Sequence, residues 1–135
     1  MALHVLKLCV GVASVAALEA RVARRGGSTA SHLTRLSPVR AAEIAGEAGG
    51  SLYWVIKGQV ACRQRILRIE TVTGGRGKRC RFVLDPRVVP VRPKPCRPFQ
   101  GWRYLAAEEA PPDVEESTAA LPERLRRDLA ALGLI

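Results

Sequence analysis

The stretch from Gly50 to Glu70 constrains the fold most, because it holds the longest strand-like apolar run, interrupted once by Gly58. Before Gly58, apolar side chains occupy both alternating sets of positions, which are 52, 54 and 56 on one face and 53 and 55 on the other. A strand that is apolar on both faces is typical of the interior of a sheet or barrel. The sequence therefore predicts two long strands joined at Gly58, with the first strand inside the core.

Flanking patterns predict an α+β fold. Before this stretch, apolar periodicity indicates a strand over 4–10, a helix over 14–25, a short strand over 32–36 and a helix over 37–48. After it come a flexible hairpin loop over 73–78, a return strand over 79–84, a Pro-rich edge strand over 88–95 and a polar–aromatic run over 97–105. Helices that cluster early and strands that cluster late favour a small, mostly antiparallel barrel with helices against its side.

The chain is predicted to have three parts. These are a single α+β barrel domain over 1–107, an acidic, Pro-containing linker over 108–120 and an amphipathic helix over 121–135. Pro122 starts the last helix and Gly133 follows it, and leucines 121, 125, 129 and 132 share one face. We expect this face to dock on the domain, and binding of a partner is the alternative.

The net charge of +10 is concentrated in one segment. Residues 57–103 carry thirteen basic and two acidic side chains, residues 1–56 carry six and three, and residues 104–135 carry three and seven. A local excess of this kind favours an anionic partner such as a nucleic acid, and a solvated basic surface is the alternative.

Most of these basic residues fall on the predicted sheet. If the two strands pair across the 73–78 loop, like charges converge, and a phosphate backbone would relieve their repulsion. Arginine also binds phosphate with two parallel hydrogen bonds. The predicted nucleic-acid-binding residues are Arg63, Arg65, Arg68, Arg76, Lys78, Arg79, Arg81 and Arg103.

Aromatic residues are few, and most of them lie in two motifs near basic residues. Aromatic rings beside cations form platforms on which bases stack. A base-stacking or ligand pocket is therefore predicted from Tyr53, Lys57, Gln100, Trp102 and Tyr104. Packing in the core is the alternative, and it is the favoured interpretation of Trp54.

The sequence predicts no metal site and no cofactor. Its four cysteines, 9, 62, 80 and 96, lie far apart without a CxxC or Cys/His cluster, and free thiols favour a cytoplasmic protein. The apolar run over 8–18 resembles a signal-peptide core, but no basic cluster precedes it, so a targeting segment is the less favoured alternative. No apolar run reaches the ~18 residues of a membrane helix, so no membrane partner is expected.

Catalytic residues cannot be assigned from the sequence, so it stays open whether the chain is an enzyme. His4 and His32 are the only imidazoles, and no motif pairs either with Cys9 or Cys62 as base and nucleophile. An enzyme acting on a small anionic or nucleotide substrate is the alternative to a nucleic-acid binder. It requires a pocket near His4, Lys7, Tyr53 or Lys57. A protein-assembly role for the leucine face is a third possibility, and the oligomeric state is open.

Three motifs carry a resemblance to a known family. The segments 4–11, 50–58 with 63–67, and 84–86 with 97–105 resemble a bacterial family known only as a domain of unknown function, number 1489. The resemblance covers nearly the whole chain and implies no activity.

At the level of topology alone, the element order is similar to the PUA-like group, which includes the ASCH and EVE domains. This similarity implies a small pseudo-barrel that binds RNA or modified bases and takes a base in a pocket at the barrel mouth. Together with the helix pattern of the sequence, it predicts a PUA-like pseudo-barrel with two N-terminal helices and one C-terminal helix, whose partner is RNA more than DNA.

Overall fold

The computed structural model describes residues 3–27, 30–34, 38, 40–75, 77–114 and 121–134. These residues form an open seven-stranded sheet and two α-helices, which confirms the prediction of a mixed α and β chain. The helices are α1 (Val15–Arg25) and α2 (Glu123–Ala131). The strands are β1 (His4–Leu8), β2 (Ala30–Thr34), β3 (Ser51–Ile56), β4 (Gln59–Gly74), β5 (Gly77–Leu84), β6 (Val89–Pro95) and β7 (Trp102–Leu105).

β4 is the strand around which the sheet is built. The first half of its 16 residues pairs with β3 along one edge and with β6 along the other, and its second half pairs with β5. β2 extends the sheet beyond β5, and β1 and β7 extend it beyond β3, with β1 and β3 parallel and the other ladders antiparallel. A shift in register between Ile66 and Arg68 bends β4 where its two halves meet.

The break at Gly58 between two strands agrees with the sequence, and the hairpin between β3 and β4 turns there on two residues. Lys57 and Gly58 both have positive φ angles, 49° and 75°, which is the geometry of a type I′ turn. This turn matches the twist of the flanking strands, and Gly58 adopts its conformation without the steric cost that a Cβ would add.

The core lies on both faces of β3, whose six residues are all buried. We call the larger cluster the helix-side core, because Val15 and Leu18 of α1 pack into it with Leu52, Trp54, Phe82 and others. The smaller loop-side core contains Tyr53, Val55, Val60, Val91, Phe99 and Leu105. The alternation of β3 between two buried faces confirms that this strand is interior, as its sequence predicts.

The start and end of α1 also agree with the sequence. Ser14 caps the helix, since its Oγ accepts a hydrogen bond from the backbone N–H of Ala17 at 3.1 Å. Gly26 follows the last helical residue with a φ of 66°, which ends the helix.

The predicted helix over 37–48 is wrong in the residues that the structure describes. Two short 3₁₀ turns, Ala41–Glu43 and Gly46–Ala48, replace it. The chain leaves helical geometry at Ala45, which is extended, and at Gly46, which has a φ of 61°. This break lets Ile44 be fully buried while its carbonyl oxygen accepts a hydrogen bond from the Gly50 N–H at 2.7 Å. Residues 37 and 39 lie outside the described part.

The predicted pseudo-barrel is not confirmed, because the described strands form an open sheet between β2 and β7. The sheet nevertheless curves around the helix-side core. The ring of Phe82 in β5 lies 6.3 Å from that of Trp102 in β7, although the two strands are far apart in the sheet order.

α2 contacts the rest of the protein mainly through charged side chains. Both carboxylate oxygens of Glu123 accept hydrogen bonds from the Val15 N–H at 2.9 Å, where the start of α1 favours an anion. Arg127 donates to the carbonyl oxygens of Ile56 and Lys57 at 3.1 and 3.0 Å. Leu125 and Leu132, from the face predicted to dock, are 42% and 72% exposed.

Residues 107–114 lie against the sheet. Asp113 forms a bridge with Val91 of β6, and the N–H of Arg92 donates to the carbonyl oxygen of Pro112 at 2.8 Å. The rest of the predicted linker, 115–120, is outside the described residues, and the division of the chain at 107 and 120 stays a prediction.

Gly50 should tolerate no side chain. A Cβ added there would meet the backbone carbonyl oxygens of Ile44 and Leu3, which are fixed by the packing around Ile44. We expect Gly50→Ala to lower the free energy of unfolding by about 3 kcal/mol or more, measured by urea denaturation. Gly74→Ala is the matched control, since nothing lies near its added Cβ, and it should change stability by less than about 0.5 kcal/mol. Equal effects of the two substitutions would contradict this packing.

Candidate functional site

Part of the predicted basic set shares one face of the β4–β5 hairpin, on which Arg68 and Arg81 are exposed, Arg79 is half-buried and Val83 is buried. The register places Arg81 opposite Glu70, Arg79 opposite Val72 and Arg68 opposite Val83. Residues directly opposite each other project to the same side, and this side is the reverse of the one that buries Cys80 and Phe82. We call Arg68, Arg79 and Arg81 the arginine face.

Within the described part of the chain, few contacts neutralise the arginine face. Arg68 Nε lies 3.7 Å from Glu70 Oε1, and both side chains are exposed, so this ion pair is weak. The side chains of Arg79 and Arg81 form no hydrogen bond or ion pair with any described residue. Two guanidinium groups are therefore available to an external anion.

The other predicted phosphate ligands are engaged elsewhere, lie apart or are not described. Arg63 makes two hydrogen bonds of 2.7 Å to the Asp113 carboxylate. Arg65 donates to the carbonyl oxygen of Gly46 at 3.1 Å, and the guanidinium carbon of Arg103 lies 4.7 Å from the centre of the Phe99 ring. Lys78 shares the opposite side of β5 with Cys80, and Arg76 is outside the described residues.

The predicted stacking pocket does not come together, because its rings lie on opposite faces of the sheet. Tyr53 belongs to the loop-side core, whereas Trp102 packs against the helix-side core. Tyr104 stays next to Trp102, with ring centres 5.0 Å apart, and it is 36% exposed. Lys57 lies in the β3–β4 turn and Gln100 in an exposed bend before β7. Trp54 is buried, as its position on β3 predicts.

A polar pocket lies where β1, β3 and β4 meet residues 107–113. Its volume is about 330 Å³, and five polar side chains line it, which are His4, Ser51, Tyr53, Arg63 and Asp113. We call it the His4 pocket. An enzyme would require a pocket near His4, Lys7, Tyr53 or Lys57, and this pocket is lined by His4 and Tyr53. Lys7 and Lys57 are not part of its lining.

Hydrogen bonds fix the side chains of the His4 pocket. The N–H of Ser51 donates to His4 Nδ1 at 3.0 Å, so a neutral His4 carries its proton on Nε2. Burial and then the charge of Arg63 lower the pKa of His4. The hydrogen bond from Arg63 holds the pKa of the Asp113 carboxyl below its usual range, and burial raises the pKa of the Tyr53 phenol.

This arrangement is suited to binding more than to nucleophilic catalysis. The Oγ of Ser51 accepts a hydrogen bond from Arg63 at 3.1 Å, and a guanidinium cannot act as its general base. Burial raises the pKa of the thiols of Cys9 and Cys62, which makes both weak nucleophiles at neutral pH. The pocket instead offers an imidazole N–H, a phenol and an ion pair to a polar ligand.

A second cavity lies between α1 and the helix-side face of the sheet. Its volume is about 70 Å³, and its lining residues are Leu18, Arg21, Val22, Arg25, Ser31, His32, Trp54, Gln64 and Leu84. We call it the His32 cavity. Both polar ends of the Gln64 amide are satisfied, since Oε1 accepts from Trp54 Nε1 at 2.9 Å and Nε2 donates to the carbonyl oxygen of Asp85 at 3.0 Å.

His32 is the group in this cavity whose hydrogen bonding is incomplete. Its ring is perpendicular to that of Trp54, with centres 5.1 Å apart, and its buried Nε2 atom has no hydrogen-bond partner among the described residues. Burial, followed by the charges of Lys7, Arg25 and Arg21, lowers its pKa from 6.5 to about 4. Sequence reasoning missed this site. The available signal was the four-residue spacing of Arg21 and Arg25, which places both on one side of α1 with Leu18 and Val22.

Comparison with known proteins gives a family and nothing further. The family model described as "Protein of unknown function (DUF1489)" matches residues 5–135. The chain belongs to this family. No curated protein and no solved structure matches it, so the PUA-like similarity is not confirmed. Any function of this DUF1489 chain must therefore be argued from its own residues.

Among the described residues, no group of three or more histidine, cysteine, aspartate or glutamate side chains is placed to hold a metal ion. No helix in the same residues is both long and apolar enough to cross a membrane.

Mild acid should destabilise the protein through His32. Its pKa is about 4 when folded and 6.5 when free, so the unfolded state binds more protons between these values. The free energy of unfolding should fall as the pH drops from about 6.5 towards 4, with His32 changing the unfolding constant by up to about tenfold per pH unit. Urea denaturation between pH 7 and 5 measures this slope.

His32→Gln should flatten that dependence. His4 contributes in the same direction, because its pKa is also lowered, and His4→Gln measures its separate share. If His32→Gln keeps the slope of the natural protein, another group is responsible.

Proposed function

We propose that this protein binds RNA through the arginine face of β4 and β5. The observation that carries the proposal is that Arg79 and Arg81 project from alternate positions of one strand without a partner in the described chain. Alternate residues of a strand are about 7 Å apart, so the two guanidinium groups can bind separate phosphates along one backbone.

Charge balance supports a polyanion over a purely solvated surface. Glu70 is the one acidic residue among positions 68, 70, 72, 79, 81 and 83, against three arginines. Like charges on neighbouring strands repel each other, and binding phosphate relieves that repulsion while releasing counterions. The +10 charge of the chain also speeds its encounter with a polyanion.

The proposal keeps part of what the sequence suggests. The preference for RNA over DNA, and the PUA-like likeness behind it, remain proposals, and so does a cytoplasmic location, in which four thiols stay reduced. Stacking by Tyr53, Trp102 and Tyr104 as one pocket is left out, because these rings lie on opposite faces. The proposed contact is therefore one to the backbone, with little sequence preference.

The salt dependence of RNA binding tests this proposal. We expect Arg79→Gln/Arg81→Gln to weaken binding to a single-stranded RNA, because two phosphate contacts are lost. The slope of log K against log salt should become shallower by about 1.4, measured by fluorescence anisotropy between ~50 and ~200 mM salt. A DNA of the same sequence tests the preference for RNA.

Arg24→Gln/Arg124→Gln is the matched control, since it removes the same charge from exposed positions on the two helices. Its slope should stay close to that of the natural protein. The absence of binding at low salt, or an equal loss in both double variants, would rule out the arginine face as the RNA site.

A second candidate function is binding, or conversion, of a small anionic or nucleotide ligand in the His4 pocket. The convergence of an imidazole N–H, a phenol and a guanidinium in about 330 Å³ favours it. Arg63 would bind the anionic group in exchange for Asp113, which lies on a segment outside the sheet strands. Hydrogen bonds from Tyr53 and His4 would orient the rest of the ligand.

The two tyrosines of the chain provide a matched test of this pocket. With nucleoside monophosphates as probes, we expect the His4 side-chain resonances to shift, and Tyr53→Phe to weaken binding about three- to tenfold. Tyr104→Phe removes the other phenol and should leave binding unchanged. Equal effects of both variants, or no response of His4 to any probe, would exclude the pocket. Phosphorus NMR on the same samples reports any conversion of the nucleotide.

A further inference from the structure

The His32 cavity has no role in either proposed function. It lies on the helix side of the sheet, while the arginine face and Tyr53 lie on the reverse side. Its polar lining is rich in hydrogen-bond donors and lacks acidic side chains. Arg21, Arg25, Ser31 and His32 all carry hydrogen-bond donors, and none of the nine lining residues is acidic.

The cavity is also electrostatically positive. Arg21 and Arg25 come from adjacent turns of α1, and Lys7 of β1 adds to the charge felt by His32. Arg21 is held in place, since its Nη2 donates to the carbonyl oxygen of Val10 at 3.3 Å. Arg25 makes no hydrogen bond or ion pair within the described part of the chain and is exposed, so an anion from solvent can reach it.

We propose that the His32 cavity binds a phosphate group, as the free ion or as a monoester. Arg21 and Arg25 supply the charge, and the unpaired Nε2 of His32 supplies a buried hydrogen bond. A volume of about 70 Å³ corresponds to roughly five water-sized positions, which suits the five heavy atoms of phosphate. A tetrahedral oxyanion also offers an acceptor to each of the four donors, whereas a carboxylate has only two oxygens.

Binding of phosphate in the His32 cavity is coupled to protonation of His32. The cations that face His32 are Lys7 from β1 and Arg21 and Arg25 from α1, and all three disfavour its protonated form. A bound phosphate offsets these charges, so it raises the pKa of His32. By linkage, phosphate binding and protonation of His32 strengthen each other.

Two neighbouring arginines give a matched pair of variants. Arg25→Gln removes a cation from the cavity, whereas Arg24→Gln removes the same charge one residue earlier, outside the lining. With inorganic phosphate as the probe at constant ionic strength, we expect Arg25→Gln to weaken binding about tenfold by calorimetry. Arg24→Gln should leave the affinity within about twofold, as expected for an exposed charge.

The two histidines provide an independent readout. We expect phosphate to shift the His32 side-chain resonances and raise its pKa in NMR titrations. Binding confined to the His4 pocket would shift His4 alone, because the two histidines lie in different pockets. Methyl phosphate as a second probe distinguishes a monoester site from one for the free ion.

An unchanged His32 across the phosphate titration overturns the proposal, and so does an equal loss of affinity in Arg24→Gln and Arg25→Gln. Phosphate binding in the His32 cavity can be distinguished from RNA binding by the arginine face. Arg79→Gln/Arg81→Gln should bind phosphate normally, and Arg25→Gln should keep the salt slope for RNA.

Discussion

The three ladders of backbone hydrogen bonds that β4 forms are the interaction on which the rest of the structure depends. Along its first half, β4 is held by β3 and β6 on its two edges, and both faces of this region are covered. Beyond the register shift after Ile66, β5 becomes its partner, and Arg68 and Arg81 on the outer face are exposed to solvent. One strand therefore serves both as the centre of the core and as a support for exposed charge.

This division explains why equivalent arginines on β4 have different environments. Arg63 lies where residues 107–114 return to the sheet, and Asp113 neutralises it there. Arg68 lies past the bend, beyond the reach of that segment, and shares only an exposed contact with Glu70. The arginine face thus begins where the loop-side core ends.

The parts of the fold that could be predicted from the sequence depend on local signals. The alternation of apolar residues in β3, the turn at Gly58 and the Ser14 cap each require only neighbouring residues to be satisfied. The prediction of a helix over 37–48 is wrong because a contact with a distant part of the chain outweighs the local apolar pattern. Burial of Ile44 against the start of β3 overrides helical propensity there.

The arrangement of the candidate site depends on contacts between residues far apart in sequence more strongly than these features of the fold do. Arg63 and Asp113 are 50 residues apart in sequence, and only the pairing of β6 with residues 107–114 brings them together. The opposite placement of Tyr53 and Trp102 follows from the registers of β1 with β3 and with β7, which no local pattern specifies. A cluster of aromatic and basic residues in sequence was therefore insufficient to predict a pocket.

The contrast between the two histidines connects stability with function. Both are held neutral, but the Ser51 N–H satisfies His4 Nδ1, whereas the buried Nε2 of His32 has no partner. A buried polar atom without a partner destabilises the folded state, and burial together with the surrounding cations disfavours protonation of the imidazole. The same cations attract an anion. Phosphate in the His32 cavity would therefore convert a local source of instability into binding energy, and the folded protein would become more stable as the ligand concentration rises.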